Sequence, residues 1–446
     1  MQKFINADFC FIRTPAFPLN LLQSFLDTNT ESLVSKSRQL KDIFSNDQIK
    51  TALHASTSPE LFIEFNKWLN NATHSKDKEE RMKSTLIKYL VRMTTRCVPF
   101  ALFSGFNIAD IGNSTSLNLG NSIFNTTHMR LDMEYLQDIF DILNKDENIK
   151  RSIKYFPNNS MYKVNNKYKY IEHSTDTYVR KYNYSAVDID DYLNLVLNTA
   201  KEGSYISEIT NALNTFDNEI SFEEVNDYIE QLISSQLLVS ELQPLMTGPD
   251  NLDKIIETLE RSKNYSDTYL TPLKKIKKLI NTKNYSVKTS TKIKSLVENI
   301  TGSKGHWSIL QSDLEIKLEN NQIGSNVINT ISSQIQELNM FAYGIDRPAL
   351  KTFIFDFQKR FDLQEIPLVT AIDPEIGVGY GNLGVLDSND LLNNIPFAQE
   401  FSDDPIQIKT NHLTQFITEK YTKCIKEGSN KIEIGEKDLA QLRKQG

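Results

Sequence analysis

Cysteine is scarce in this chain of 446 residues: Cys10, Cys97 and Cys424 are odd in number and far apart, which argues against both a disulfide framework and a thiolate metal site. The six histidines, at positions 54, 74, 128, 173, 306 and 412, show no H-x-x-x-H spacing, so no metal centre is expected. There is no G-x-S-x-G elbow and no Cys with a nearby His, so covalent catalysis lacks a sequence signal. Glycine and proline are few, 16 and 13, and neither an internal repeat nor a long low-complexity segment occurs; an ordered chain is expected for most of the length. No apolar run approaches the roughly 18 residues of a membrane span. The opening "MQKFINADFCFIRTPAFPLN" lacks the continuous apolar core and cleavage site of a signal peptide, so a cytoplasmic protein without a membrane anchor is expected. Basic charge is short as well: 50 Lys and Arg face 57 Asp and Glu, a net charge of -7. That argues against coating nucleic acid through overall charge and leaves only a regional basic surface.

What is present is enough apolar residue, 39%, for two to four packed units. "FCFIRTPAFP" reads as a short strand ended by Pro15 and Pro18, with Arg13 in apolar surroundings. From Leu19 to about Arg96 the pattern is helical. Met82, Leu86, Leu90 and Met93 build one apolar stripe there, and Arg92 and Arg96 lie on a neighbouring face. Beyond Pro99, "FALFSGFNIADIG" alternates and reads as strand and turn, and "HMRLDMEYLQDIFDILNKD" reads as a strand end and a helix with Asp132 near its start. Between Arg151 and Glu241 three strands, two of them joined by an Asn-Asn turn, precede three helices. The last helix opens with a capping box, Ser221 to Glu224. This is a winged-helix-like pattern.

"QPLMTGPDN" reads as a linker, followed by lysine-rich helices carrying Lys274, Lys275, Lys277 and Lys278. "HWSILQSDLEIKL" reads as a strand bearing Asp313, then a helix from about Gly324 to Tyr343, and "ALKTFIFDFQKRFD" as another helix. "EIPLVTAIDPEIGVGYGNLG" reads as a strand entering a glycine-rich loop, and the tail as one amphipathic helix with a strand-like "KIEIG". The fold class is α+β, several helices and mixed sheets with an embedded module of three strands and three helices. Its divisions fall at 1–150, 151–242 and 243–446.

Gly379, Gly381 and Gly384 spell G-x-G-x-x-G, but no Lys-Ser/Thr follows and no helix opens at the last glycine, so a structural turn is the better reading. What remains is a set of arginines and junctional aspartates: Arg13, Arg92, Arg96, Asp132 and Asp313. They fit either arginines paired with carboxylates near the core or an anion-binding cluster, since guanidinium forks suit phosphates and carboxylates. The lysine run fits a solvated helix face or a contact to RNA phosphates. Glu223, Glu224, Asp227 and Glu230 make the third helix of the module acidic, which disfavours DNA and favours capture of a peptide at a sheet edge.

Five stretches in order, "FIRTPAFPL", "VRMTTRCVPFALFSGF", "MRLDMEYL", "ILQSDLEI" and "IPLVTAIDPEIGVGYGN", make the chain resemble the N-terminal, glutamylating part of the lantibiotic dehydratases. The resemblance implies that glutamyl-tRNA is the co-substrate, with no bound cofactor. The side-chain hydroxyl of Ser or Thr in a ribosomally made precursor peptide would attack the activated ester, and a separate elimination domain would later expel glutamate. It implies catalytic roles for Arg92, Arg96, Asp132 and Asp313, and tRNA or glutamyl contacts for Arg13, Lys274, Lys277 and Lys278. The precursor's leader would lie as an added strand against Tyr178, Arg180, Tyr182 and Tyr184, with Val225 and Ile229 receiving its apolar side chains. Two positions depart from the family pattern: Val98 stands where the family places a hydroxyl, and Ala101 where it places Gly. The chain stops at "LAQLRKQG", where the family's glutamylation part continues with at least one further arginine. The alternative expectation is a non-catalytic leader-binding scaffold, or a split dehydratase subunit that works with a partner.

Overall fold

The computed structural model describes residues 5–27, 33–71, 75–119, 126–176, 179–262, 267–302, 308–341, 347–381 and 412–445. The chain forms two compact units, Asp8–Ile323 and a second made of Met1–Ala7 with Gly324–Gly446. Helices and sheets are mixed, as an α+β class requires.

The larger unit opens with β1 (Phe9–Pro15), α1 (Leu19–Leu26), α2 (Leu33–Phe44), α3 (Asp47–Ser56), α4 (Pro59–Leu69) and α5 (Lys76–Thr95). The expected helical run up to Arg96 is thus five helices. In α5, Ser75 caps the amino end by accepting from Lys78 N, and Asp77 and Glu79 sit in the first turn, where negative charge suits the helix dipole. Its apolar stripe, Met82, Leu86, Leu90 and Met93, is buried. Removing each such side chain from water stabilises the fold by roughly 1.5–3 kcal/mol. The core here also holds a histidine: His54 Nδ1 bonds to Tyr285 Oη at 2.6 Å, and burial, with Lys294 nearby, lowers its pKa to about 4. Its ring is a satisfied core side chain.

Next come β2 (Ser104–Gly112), β3 (Ser116–Leu119), β4 (Thr126–Leu131), α6 (Met133–Lys145) and α7 (Glu147–Ser152). Near the end of this unit, β11 (Leu310–Glu315) and β12 (Leu318–Gly324) return to complete a six-stranded sheet, ordered β3-β12-β2-β11-β4, with β1 added to β2. β1 is antiparallel to β2 and β4 to β11, whereas β11 runs parallel to β2. At Gly105 the strands come so close that an added Cβ would lie 2.7 Å from Leu314 O, which accounts for the glycine.

After α7 come β5 (Lys154–Pro157), β6 (Tyr162–Val164), β7 (Lys167–Asp176), β8 (Val179–Asp188), α8 (Asp191–Thr199), β9 (Ser204–Tyr205), α9 (Ile206–Phe216), α10 (Phe222–Ser234) and β10 (Leu238–Ser240). The expected hairpin turns at Asn165, whose φ of 52° is the left-handed conformation that Asn tolerates. The capping box at Ser221 is present, with Glu224 Oε2 accepting from Ser221 N at 3.0 Å. One sheet is ordered β6-β7-β8 and a second, which the sequence reading lacked, β10-β5-β9. The lysine-rich helices are α11 (Asn251–Arg261), α12 (Asp267–Ile280) and α13 (Val287–Thr301).

The smaller unit contains α14 (Ser325–Leu338), α15 (Pro348–Phe361), α16 (Leu368–Ile372), α17 (His412–Lys426) and α18 (Glu436–Gln445). Two expectations are corrected here. "LVTAI" is a short helix and no strand: Pro367 precedes it, and Ala371 N donates to Pro367 O at 2.9 Å. "KIEIG" forms no strand among the described residues, because its alternation meets no partner edge, and the tail ends in a second helix instead. Of the glycine-rich loop, Gly384 lies outside the described residues.

Candidate active site

Register fixes which side chains share a face. Successive residues of a strand point to opposite sides of the sheet. Leu310, Ser312 and Leu314 of β11 are buried, as are Thr127, Met129 and Leu131 of β4 and Gly105 and Ala109 of β2. That side is the core side. The opposite side faces solvent and carries Phe9, Phe11 and Arg13 of β1, Phe106, Ile108 and Asp110 of β2, Gln311, Asp313 and Glu315 of β11, and His128 and Arg130 of β4. Arg13 pairs in register with Phe106, which pairs with Glu315, and Asp313 pairs with His128.

The strand directions gather the remaining residues at one end of this sheet. β1 and β4 finish there, at Pro15 and Leu131, while β2 and β11 begin there, at Ser104 and Leu310. Helix α5 delivers Arg92 and Arg96 to that same end: Phe17 N donates to Met93 O at 3.1 Å, Ala16 N to Phe103 O at 2.9 Å, and Ser104 Oγ to Val98 O at 2.5 Å. Asp132 follows β4 directly, its backbone N donating to Ile309 O at 3.1 Å. Arg13, Arg92, Arg96, Asp132 and Asp313 are therefore brought to one region of the larger unit, although residues 13 and 313 are separated by most of its sequence.

Arg92 is held in an aromatic setting. Its guanidinium carbon lies 4.2 Å from the centre of the Phe100 ring, close enough for a cation–π contact. Tyr89 and Phe100 both pack on Phe103, and burial raises the pKa of Tyr89 with Arg92 opposing. Among the described residues, Arg92 Nε is buried without a hydrogen-bond partner. A buried donor of a cationic group left unpaired is costly, and an incoming anion would satisfy it. Arg96, the C-cap residue of α5, is exposed.

Asp132 is the N-cap of α6 and accepts from Glu134 N at 3.1 Å, so one of its oxygens serves the helix. Asp313 is half-buried on the solvent side of β11. Val98 is 55% exposed, and Ala101 adopts φ 44°, a left-handed conformation that glycine takes without strain. His128 Nε2 and Glu315 Oε2 lie 2.7 Å apart, and Arg130 Nε donates to Gln311 Oε1 at 2.8 Å. Sequence reasoning missed these four. The alternation in "THMRLD" was the available signal, since it puts His128 and Arg130 on the side that leads to Asp132.

The lysines are placed elsewhere, on α12. Lys274 pairs with Glu260, and half-buried Lys277 pairs with Asp250 at 3.0 Å and Asp253 at 2.7 Å. Lys278 is exposed. Those ion pairs account for Lys274 and Lys277 as helix-to-helix contacts between α12 and the start or end of α11.

On β8, Tyr182 and Tyr184 are 64% and 61% exposed, and Arg180 Nη2 donates to Gln137 Oε1 at 2.6 Å. β8 pairs with β7 on one side only, so it is an edge strand among the described residues. Tyr178 lies outside the described residues. Val225 and Ile229 are buried on α10. Val225 also lines a cavity of about 460 Å3 with Tyr192, Leu213, Ile220 and Tyr228, rimmed by Asp190, Glu219 and Glu224. Among the described residues no group of three His, Cys, Asp or Glu side chains could hold a metal, and no helix is long and apolar enough to cross a membrane.

An α+β chain with arginines and aspartates gathered at one end of a mixed sheet is the class these features define. Residues 45–446 match the family model described as lantibiotic dehydratase, N terminus, and the chain belongs to that family. The epidermin biosynthesis protein EpiB of Staphylococcus epidermidis is 22% identical over 452 residues, covering 99% of this chain and 41% of EpiB. The subtilin biosynthesis protein SpaB of Bacillus subtilis is 23% identical, covering 95% of this chain and 39% of SpaB. The chain thus spans about two fifths of these relatives. Among solved structures, the tRNA-dependent lantibiotic dehydratase MibB from Microbispora sp. 107891 superposes with a TM-score of 0.72 at 16% identity, covering 98% of this chain and 40% of MibB. The glutamylation domain TbtB from thiomuracin biosynthesis gives a TM-score of 0.56 at 13% identity, covering 93% and 51%. The same fold is shared with both.

Proposed function

We propose that this chain transfers glutamate from glutamyl-tRNA to serine and threonine side chains of a ribosomally made precursor peptide, ahead of elimination elsewhere. The observation that carries this reading is the gathering of Arg13, Arg92, Arg96, Asp132 and Asp313 at one sheet end, with Arg92 Nε buried and unsatisfied. Arginine forks suit the phosphates of a tRNA 3' end and the carboxylate of its glutamate. An aspartate suits the amino group of the same residue, and holding ester and hydroxyl together supplies much of the rate. The leader of the precursor would pair with the open edge of β8 beside Tyr182 and Tyr184, the mode by which extended peptides add to a sheet. In this reading 151–242 is a winged-helix-like recognition module between two parts of the transfer domain, 1–150 and 243–446. Exposed Lys278 would meet RNA phosphates.

The test is to incubate the chain with glutamyl-tRNA and a lantibiotic-type precursor peptide rich in Ser and Thr, then weigh the peptide. Addition of one or more glutamyl groups is the expected outcome, and an unchanged mass would overturn the enzyme reading. Val98, which can neither donate nor accept a hydrogen bond where the family has a hydroxyl, favours a second reading: a leader-binding scaffold that works with a partner supplying the rest of the site. Leader binding without any mass gain is the result that reading expects.

A further inference from the structure

The transfer needs a group that takes a proton from the peptide hydroxyl and returns it to the departing ribose oxygen. Arginine stays protonated and cannot be the base, and Asp132 gives one oxygen to its helix cap, whereas an imidazole can both take and return a proton near neutral pH. We propose that His128, held by Glu315, is that general base and acid; the inference rests on the glutamyl-transfer reading above.

His128 stands on the solvent side of β4, directly across from Asp313 in register. Its Nε2 lies 2.7 Å from Glu315 Oε2, and Glu315 shares its rung, through Phe106, with Arg13. A carboxylate only accepts, so Glu315 fixes the N–H on Nε2 and leaves the lone pair of the neutral ring on Nδ1. This is the arrangement of a base with an orienting partner, in which the carboxylate selects the tautomer. His128 is also the one imidazole on this face among the described residues. His54 is buried against Tyr285, His173 lies in β7, and His412 begins α17 in the other unit.

The step balances without any further reactant. The hydroxyl oxygen of Ser or Thr bonds to the ester carbonyl carbon, and the bond from that carbon to the ribose oxygen breaks. The proton passes from the hydroxyl to His128 Nδ1 and on to the ribose oxygen as it leaves. Glu315 is a positioning residue: it holds the ring and touches neither substrate. Both side chains are well exposed, 45% and 39%, and a cross-strand pair so exposed adds little to stability, so its removal leaves the fold in place.

The experiment compares single-turnover glutamate transfer by the chain and its variants, with glutamyl-tRNA and the same Ser- and Thr-rich precursor peptide. His128→Ala is expected to slow transfer by about 100- to 10,000-fold, the range typical of a lost general base, with binding of tRNA and peptide unchanged. Added imidazole is expected to restore part of the rate to His128→Ala and nothing to Arg92→Ala. Glu315→Gln is expected to lose about tenfold, with no imidazole rescue, because it loosens the ring and removes no base. Transfer by His128→Ala at the rate of the unaltered chain overturns the assignment and leaves the glutamylation reading standing. A slow His128→Ala that imidazole does not rescue, or that has lost tRNA binding, overturns it too. If the unaltered chain adds no glutamate, the glutamylation reading fails, and the role of His128 falls with it.

Discussion

In the sheet built on β1, β2, β4 and β11, charged and aromatic side chains stand on an open face: Arg13, His128, Arg130, Asp313 and Glu315, with Phe9 and Phe11 alongside. In the β6-β7-β8 sheet the open feature is instead an edge, where the backbone of β8 is unpaired on one side among the described residues. The first can discriminate chemistry, because each position carries a different group. The second can hold many sequences, because its donors and acceptors belong to the main chain and only Tyr182 and Tyr184 add preference. On the proposed function, the first would serve the reacting group and the second would hold the tether. Substitutions at the two should separate cleanly.

The largest effect is expected at Arg92. Arg92→Ala should lower glutamyl transfer by about 100-fold or more, as loss of a charge-stabilising donor does, while leader affinity measured by calorimetry stays unchanged. Arg92→Lys should fail to restore the rate, since an ammonium neither forks nor stacks on Phe100 as the guanidinium does. Equal loss of leader affinity would break the proposed division of labour. On β8 the complementary change is proline, placed at Tyr182 and, in a separate variant, at Asn183. Alternate residues direct their N–H groups to opposite edges, so one of the two removes an outward donor. That variant should bind leader about tenfold more weakly and keep its tRNA affinity, and calorimetry showing equal affinity for both would refute the edge-pairing mode. The smallest effect concerns stability. Ala101→Gly relieves the left-handed residue at φ 44° and should stabilise the larger unit by about 0.5–1 kcal/mol in urea unfolding, with leader binding unaltered.

Local signals carried much of the fold. The Asn165 turn, the Ser221 capping box and the α5 stripe each depend on neighbours within a few residues, and each reappears in the structure. What escaped was short or polar. Strands β5, β9 and β10 have four, two and three residues, too few for alternation to register, and they exist because they pair with one another. β12, "LENNQIG", is polar enough to read as loop and is held by its pairing with β3. Conversely "LVTAI" has the β-branched composition of a strand, but it follows Pro367 and finds no edge, so it coils. The site was legible only as a set of residues. That Arg13 stands two strands from Glu315, and that His128 faces Asp313, follows from pairing between distant parts of the sequence, which composition and spacing do not encode.

Arg92 ends α5 pressed against Phe100, and that contact has a thermodynamic side. A free arginine side chain gives up about 2 kcal/mol of rotamer entropy when it is immobilised. Here the ring already restricts the guanidinium before any ligand arrives. The disorder is surrendered once, when the chain folds, and on the proposed function would not be surrendered again when an anion binds. Loosening that ring, by Phe100→Ala, would therefore weaken anion capture mainly through its entropy, leaving every charge in the site unchanged.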